Sequence, residues 1–441
     1  MLSTRAISFS DHSQKLDVKA LQEALKKFNN ENAIDKSTKT ITIDYSKCNN
    51  CTFCAQICEK RVFGFSKIGD RAFLQTSSAE KLDKTKCNKC GQCAQVCPTK
   101  AIIINSDIQQ VKDAIHEHKF EKAIIFFDSN VLSALSLQLN KEIPKKKFIT
   151  LLRKSGFDMI FNGDIGSDLF IQEENMLLLD AIEKKQFLLS SHCPAFVEYI
   201  KKCNNNLKGK ISTVKTTTNC LSAIIKSMFN NTYIVSVSSC SAGKESHESN
   251  VHLTTKELLD LVDINKLDSC EESDFDPPFN NASGAAIISE MTGGACEAIL
   301  RTATQCIAGK TTPAIDFASL RGYQDPVKIS IVSGLKIGAI YGDLVSEDIA
   351  RRVIKGDKQL HDVVYLECST CPGGCINGAG NFPIQDESVL KKRQDRLYKA
   401  DRESLMRRAH QNPTITRLYQ EYLGGSPGSD VAKSILHRVV E

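Results

Sequence analysis

Two cysteine runs constrain this chain more than anything else in it: C-N-N-C-T-F-C-A-Q-I-C from Cys48 to Cys58, and C-N-K-C-G-Q-C-A-Q-V-C-P from Cys87 to Pro98. Both have the spacing C-x2-C-x2-C-x3-C. Cys48, Cys51, Cys54 and Cys58 form one set, and Cys87, Cys90, Cys93 and Cys97 the other. Three closely spaced thiolates can hold three irons of a cubane, and the fourth cysteine of each run reaches across to the other cluster. The spacing therefore predicts two [4Fe-4S] clusters, one on Cys48, Cys51, Cys54 and Cys97, the other on Cys87, Cys90, Cys93 and Cys58. Zinc competes, because C-x2-C pairs also build tetrahedral zinc sites. A third cysteine in the same register, repeated in both runs, argues against zinc, and spacing this regular argues against a disulfide framework.

The second run matches the bacterial ferredoxin pattern, with Pro98 after its last cysteine. The first has Glu59 where that pattern has proline, with all four ligands kept. Ile43 and the segment 101–104 read as short strands flanking the cluster loops.

A chain of 441 residues is too long for one such unit and predicts two to four domains. A formal net charge of +5, with 57 basic and 52 acidic residues interspersed, gives no footprint for nucleic acid. No stretch approaches the ~20 apolar residues of a membrane span. Eighteen cysteines without a secretory signal point to a reducing, low-oxygen compartment. The opening M-L-S-T-R-A-I-S-F-S is hydroxylated, has Arg5 and lacks acids. It fits a short presequence for a hydrogenosome or other mitochondrion-related organelle, and equally an ordinary disordered start to a protein of the cytoplasm.

Apolar residues recur at helical spacing over 16–28, and 107–118 reads as a further helix. Strand-like runs at 123–127, 187–190, 233–237, 329–332 and 363–366 then alternate with helical stretches, an α/β pattern. From Glu387 onward the chain is charged and helical.

Ten cysteines lie outside the two runs. F-L-L-S-S-H-C-P places Cys193 just after a strand, with Pro194 suited to the first turn of a helix. Y-I-V-S-V-S-S-C does the same for Cys240, and V-V-Y-L-E-C-S-T-C-P-G-G-C-I-N-G-A-G-N puts Cys371 and Cys375 in a glycine-rich loop after a third strand. Ligands of open α/β sheets gather beyond the carboxyl ends of strands, so four thiolates converging there could hold a third cubane. A lone cysteine after a strand is more often a small buried hydrophobe. Cys203, Cys220, Cys270, Cys296, Cys306 and Cys368 lack such context and are read as core or surface thiols.

At these three segments the chain resembles the [FeFe]-hydrogenase family, whose three signature loops appear in order as S-S-H-C-P-A-F, S-S-C-S-A-G-K-E and E-C-S-T-C-P-G-G-C-I-N-G-A-G-N. L-T-T-K-E-L from Leu253, M-T-G-G-A-C-E-A-I-L-R-T-A from Met291, and R-R-A-H-Q-N-P and L-Y-Q-E-Y-L-G in the tail also look like family segments. The resemblance implies an α+β and α/β fold. A ferredoxin-like domain (41–108), preceded by an extension and helix (1–40), leads into a larger hydrogenase-type α/β domain (109–386) and a small-subunit-like helical tail (387–441). The cluster site would lie between two sheets.

By that resemblance Cys193, Cys240, Cys371 and Cys375 would ligate the cubane of an H-cluster, with Cys375 bridging to a di-iron unit carrying carbon monoxide and cyanide. Ferredoxin or a similar carrier would supply electrons, protons would be reduced reversibly to dihydrogen, and iron-sulfur and hydrogenase maturation machinery would assemble the site.

The departures from the family are concentrated in that pocket. His192 stands where the family has the thiol that relays protons. Of two glutamates on the family's proton path, Glu174 keeps one position and Leu177 replaces the other; Ser212, another relay residue, is retained. The second-loop lysine that bonds a cyanide is replaced by Gly243, with Lys244 one position later. Ser238 and Ser369 stand where the family has methionines, and K-T-T-T from Lys215 replaces its lysine-serine-proline-glutamine segment. The family relationship favours a divergent hydrogenase that uses His192 and water as a substitute proton route; the alternatives are a non-catalytic electron carrier or redox sensor without the di-iron unit, and a cytosolic iron-sulfur assembly factor.

Overall fold

The computed structural model describes residues 34–438 except 69, 70, 78, 79, 118, 311–314, 333 and 385. The helix expected over 16–28 and the first ten residues lie outside the described residues.

The ferredoxin-like part is a small antiparallel sheet of β1 (Ile34–Asp35), β2 (Ile41–Asp44) and β5 (Ile102–Ile104), in the order β1-β2-β5, with the hairpin β3 (Phe63–Ile68) and β4 (Arg71–Thr76) beside it. Each cysteine run ends in one short helix turn, α1 (Phe53–Ile57) or α2 (Gln92–Gln95). The two runs share backbone geometry as well as spacing: Asn50 and Thr52 in the first, Lys89 and Gly91 in the second, have positive φ. Such alternation turns successive N–H groups inward, a concavity suited to anionic sulfur. Asn50 N and Lys89 N accordingly point at Cys48 Sγ and Cys87 Sγ, each at 3.4 Å.

After α3 (Ile108–His116), the chain builds two four-stranded sheets. The first has the order β10-β9-β6-β7, from β6 (Lys122–Phe127), β7 (Met159–Asn162), β9 (Thr232–Ser238) and β10 (Val251–Thr254), and all its pairs are parallel. The second has the order β11-β12-β13-β8, from β8 (Leu188–Leu189), β11 (Val327–Val332), β12 (Leu335–Tyr341) and β13 (Val363–Ser369). Only its β11–β12 pair is antiparallel. Ile124, Ile125, Phe126 and Phe127 of β6 are buried on both faces, as a central parallel strand requires.

Helix α4 (Asp164–Glu183) runs between the sheets with apolar residues on most of its girth, including Ile165, Leu169, Phe170 and Leu178. Its buried polar residues anchor the C-terminal tail. Glu173 accepts from Tyr419 Oη at 2.7 Å and pairs with His437 Nε2 at 2.8 Å, while Asp168 binds Ser283 Oγ at 2.5 Å and Asn412 Nδ2 at 2.9 Å. The tail helix α5 (Glu387–Glu403) is fixed by fully buried Arg301, whose guanidinium grips both Asp401 oxygens at 2.7 and 2.9 Å and Glu297 at 2.7 Å. A bidentate pair of this kind sets orientation as well as charge.

Candidate cluster site and its pocket

The fourth cysteines cross over. Burial pushes the Cys54 thiol up to about 12, with Cys48, Cys51 and Cys97 adding to it. Burial likewise raises the Cys93 thiol, and its neighbours are Cys87, Cys90, Cys58 and then Cys54. Two four-cysteine sets therefore exist in space, each borrowing one member from the other run. Thiols this far from water stay protonated unless a metal compensates the charge, which is the situation of cluster ligands.

The second set is pressed against the large domain. Gly91 has φ +74°, and a Cβ there would lie 2.5 Å from Ser241 Oγ and 3.0 Å from Ala379 Cβ, so no larger residue fits the contact. Ser241 Oγ donates to Cys90 O at 2.9 Å, and Gln95 Nε2 to the carbonyls of Gly378 and Asn381 at 3.2 and 3.0 Å. Glu59, the residue in place of the ferredoxin proline, accepts from Asp343 N at 2.9 Å and so caps helix Asp343–Ile354 of the large domain. Beside it Lys60 pairs with Asp343, which also holds Thr370 Oγ1 at 2.6 Å and Asn88 Nδ2 at 2.8 Å.

Cys193, Cys240, Cys371 and Cys375 converge from both sheets. Cys193 follows β8, caps a helix begun by Pro194, and accepts from Phe196 N at 3.5 Å; Cys240 follows β9; Cys371 and Cys375 follow β13. Burial raises all four thiols, and Cys371 and Cys375 each feel Cys193 and Cys240. Gly374 packs flat on the backbone of residues 290–292, where a Cβ would meet Thr292 N at 2.6 Å. The donor set, all thiols and all turned together, fits a cubane.

The adjoining space is different. A cavity of about 20 Å³ lies against Cys240 and Cys375, lined by His192, Thr217, Ser238, Gly243, His252 and Glu290 among others. That volume is roughly one water. His192 Nε2 is 3.9 Å from Glu290 Oε1, and the Glu290 carboxyl lies within 4.8 Å of Cys375 Sγ. The His192 ring stands edge-on to Phe170, and burial alone pulls its pKa down to about 4. A di-iron unit with diatomic ligands does not fit among these side chains as they stand.

Lys244 does not reach this pocket. Its Nζ is buried between Asp107 (2.6 Å), Glu257 (3.0 Å) and the carbonyl of His252 (3.0 Å), where it ties α3 to helix Thr255–Leu261. The expectation of Lys244 as a pocket residue is therefore corrected: two acids hold it on the far side of its loop. Its vacated position is occupied from elsewhere, because a Cβ on Gly243 would lie 2.6 Å from His252 Nε2. His252 is itself committed to Ser236 Oγ (2.9 Å), Ser238 Oγ (3.2 Å) and Cys240 O (3.0 Å).

Of the expected proton-path residues, Ser212 donates to Glu174 in a very short hydrogen bond, and Tyr365 Oη donates to the same carboxyl at 3.0 Å. Burial pushes Glu174 up to about 7. Leu177 is half-buried and packs against the core. The His192 side chain turns towards Glu290 and Cys375, and no hydrogen bond joins it to Glu174 or Ser212 among the described residues. Among the other cysteines Cys220, Cys270, Cys296 and Cys368 are buried, Cys306 is exposed and Cys203 is half-buried. Glu290 and His252 escaped the sequence reading. Their one signal was a titratable residue inside an apolar segment, I-I-S-E-M and V-H-L-T.

Paired four-cysteine sets docked on a third four-cysteine site between two sheets are the framework of an iron-sulfur protein. Residues 122–379 match the iron only hydrogenase large subunit, C-terminal domain, residues 387–438 the iron hydrogenase small subunit, and residues 80–103 a 4Fe-4S binding domain. The chain belongs to the iron-only, or [FeFe]-, hydrogenase family.

Among curated relatives, the NADP-reducing hydrogenase subunit HndD of Solidesulfovibrio fructosivorans is 32% identical over 66% of this chain, which spans only 54% of that protein. Iron hydrogenase 1 of Clostridium pasteurianum is 27% identical over 92% of this chain and 76% of its own. Protein NAR1 of Arabidopsis thaliana is 27% identical over 66% and 72%. A structure of [FeFe]-hydrogenase HydA1 from Chlamydomonas reinhardtii superposes with a TM-score of 0.64 at 24% identity, covering 76% of this chain and 98% of that one, a likeness of fold. Among the described residues no helix is long and apolar enough to cross a membrane.

Proposed function

We propose that this protein is an electron carrier or redox sensor of the hydrogenase family, with three [4Fe-4S] clusters and no di-iron unit. The reading rests on one observation above all: His192 and Glu290 project into the space beside Cys375 and leave about 20 Å³. Cubanes supply one-electron storage when bound. This chain's own residues set their order. The set on Cys48, Cys51, Cys54 and Cys97 has the more exposed ligands, the set on Cys87, Cys90, Cys93 and Cys58 abuts the second and third loops, and the set on Cys193, Cys240, Cys371 and Cys375 ends the line. Ferredoxin or a similar carrier is the proposed redox partner, and a reducing, low-oxygen compartment, hydrogenosomal or cytoplasmic, the proposed setting.

Reversible proton reduction is the second reading, favoured by the kept Glu174–Ser212 contact and by the names of the hydrogenase relatives. It requires His192 and Glu290 to move aside. Production together with hydrogenase maturation enzymes, followed by anaerobic iron analysis and electron paramagnetic resonance, tests the proposal. Three cubanes, with the third lost on Cys371→Ser and no hydrogen evolved from reduced methyl viologen, are expected; hydrogen evolution would overturn it.

A further inference from the structure

We infer that His192, Glu290 and Cys375 form a binding site for a single divalent transition-metal ion, Zn²⁺ or Fe²⁺, beside the third cubane. The inference rests on the three-cubane reading in one respect, that Cys375 is shared between the ion and the cubane, as a bridging thiolate can be.

The three ligand atoms lie within 4.8 Å of one another and come from three separate parts of the chain. His192 follows β8, Glu290 precedes helix Gly294–Ala308, and Cys375 lies in the third loop. Backbone bonds fix two of them together: Ile376 N donates to Glu290 O at 3.3 Å, and Thr292 N to Gly373 O at 3.1 Å. His192 Nε2 is buried and has no hydrogen-bond partner among the described residues, although it faces a carboxylate and a thiol. A buried imidazole nitrogen left unpaired loses its hydration without return, and coordination is the bond that this geometry offers.

The donor set narrows the ion. One imidazole, one carboxylate and one thiolate suit Zn²⁺ or Fe²⁺, whereas Mg²⁺ and Ca²⁺ prefer oxygen throughout. Two anionic ligands would balance a dication at these buried side chains. Three protein ligands leave one position open, and the small cavity bounded by Thr217, Thr218 and Ser238 lies on that side. Structural zinc sites are closed with four ligands, while an open fourth position can take water or a small anion. His252 does not compete, because its ring nitrogens are bonded to Ser236, Ser238 and the Cys240 carbonyl.

A surface cleft lies close by, on the other side of a shared wall. Pro194 and Thr216 line both this cavity and a surface cleft of about 410 Å³ between the ferredoxin-like part and the second loop. The cleft wall carries Lys89, Lys201 and Lys215 facing Glu198, Glu245 and Glu248.

The test uses the full chain with its iron-sulfur clusters reconstituted, titrated anaerobically with Zn²⁺ and then desalted. One equivalent of retained zinc is expected, with X-ray absorption showing one sulfur at about 2.3 Å and nitrogen or oxygen at about 2.0–2.1 Å. Glu290→Gln and His192→Gln, both close in volume to the originals, should each weaken binding by about 100-fold or more, since even outer partners of a ligand matter 10- to 100-fold. The cubane spectra should not change in either variant. No retained zinc, affinity in the variants unchanged from that of the wild type, or zinc in all-sulfur coordination with iron lost would each overturn the inference. Absence of the third cubane from the protein before zinc is added would instead count against the three-cluster reading, so the two failures are separable.

Discussion

Gln92 Nε2 donates to Cys371 Sγ at 3.3 Å, so a side chain from the second cysteine run touches a ligand of the third site directly. The same amide also reaches Asn377 O at 3.1 Å, which holds it in place. A hydrogen bond to a cluster sulfur stabilises the reduced, more negative state. Gln92→Leu should therefore lower the potential of the third cluster, by ~40 mV for a differential near 1 kcal/mol. A redox titration followed by electron paramagnetic resonance reads this, and an unchanged potential would mean that the bond does not tune the cluster.

Glu59 and Lys60 predict how the ferredoxin-like part is held. Lys60 is buried against Asp343, and its charge is kept despite burial by Asp343 and the nearby cysteines. Removing one member of a buried pair leaves the other uncompensated, so Lys60→Met should destabilise the docked state by about 3 kcal/mol. Glu59→Ala, which removes a helix cap, should lose about 1 kcal/mol. Denaturant unfolding of the reconstituted protein measures both, and equal stability of Lys60→Met and wild type would contradict the assignment.

The Glu174 carboxyl predicts a pH dependence. Burial raises it from the usual carboxylate range to about 7. A carboxyl with a higher pKa folded than unfolded binds more protons in the folded state, so its contribution is present below about pH 4.3 and is lost as pH rises to 7. Replacing Glu174 by Gln removes this dependence. Between pH 5 and 8 the Gln variant should lose less stability than wild type, by on the order of 2 kcal/mol. Identical slopes would show that Glu174 ionises as freely folded as unfolded.

Rebuilding the family's proton path should not create a hydrogenase. His192→Cys with Leu177→Glu restores two relay groups, yet Glu290 still lies against Cys375. With the maturation machinery present, the double variant should stay without carbonyl or cyanide bands and without hydrogen evolution. Activity gained by those two changes alone would show that the relay, and not the filled pocket, was the block.

Much of the scaffold was legible in the sequence because buried parallel strands are apolar runs. The segment expected as 123–127 is β6, and those expected at 233–237 and 363–366 lie inside β9 and β13. Strands Met159–Asn162 and Val251–Thr254 escaped because they are four residues long and carry Asn162 and His252. The cysteine spacing gave the expectation of two ferredoxin-type sets, and the fold brings Cys97 towards Cys54 and Cys58 towards Cys93.

What spacing cannot encode is direction. Lys244 stands one residue from the family's lysine, yet two acids distant in sequence, Asp107 and Glu257, decide where its ammonium goes. Glu290 is the converse case: nothing beside it in the chain marks it, and only the fold brings it to His192 and Cys375.

The most direct test of the central claim is infrared spectroscopy of the protein produced together with hydrogenase maturation enzymes, combined with an iron count. Three cubanes give about twelve irons per chain. About twelve irons and no carbonyl or cyanide bands is the predicted result; bands from iron-bound carbon monoxide and cyanide, with iron above that count, would contradict it.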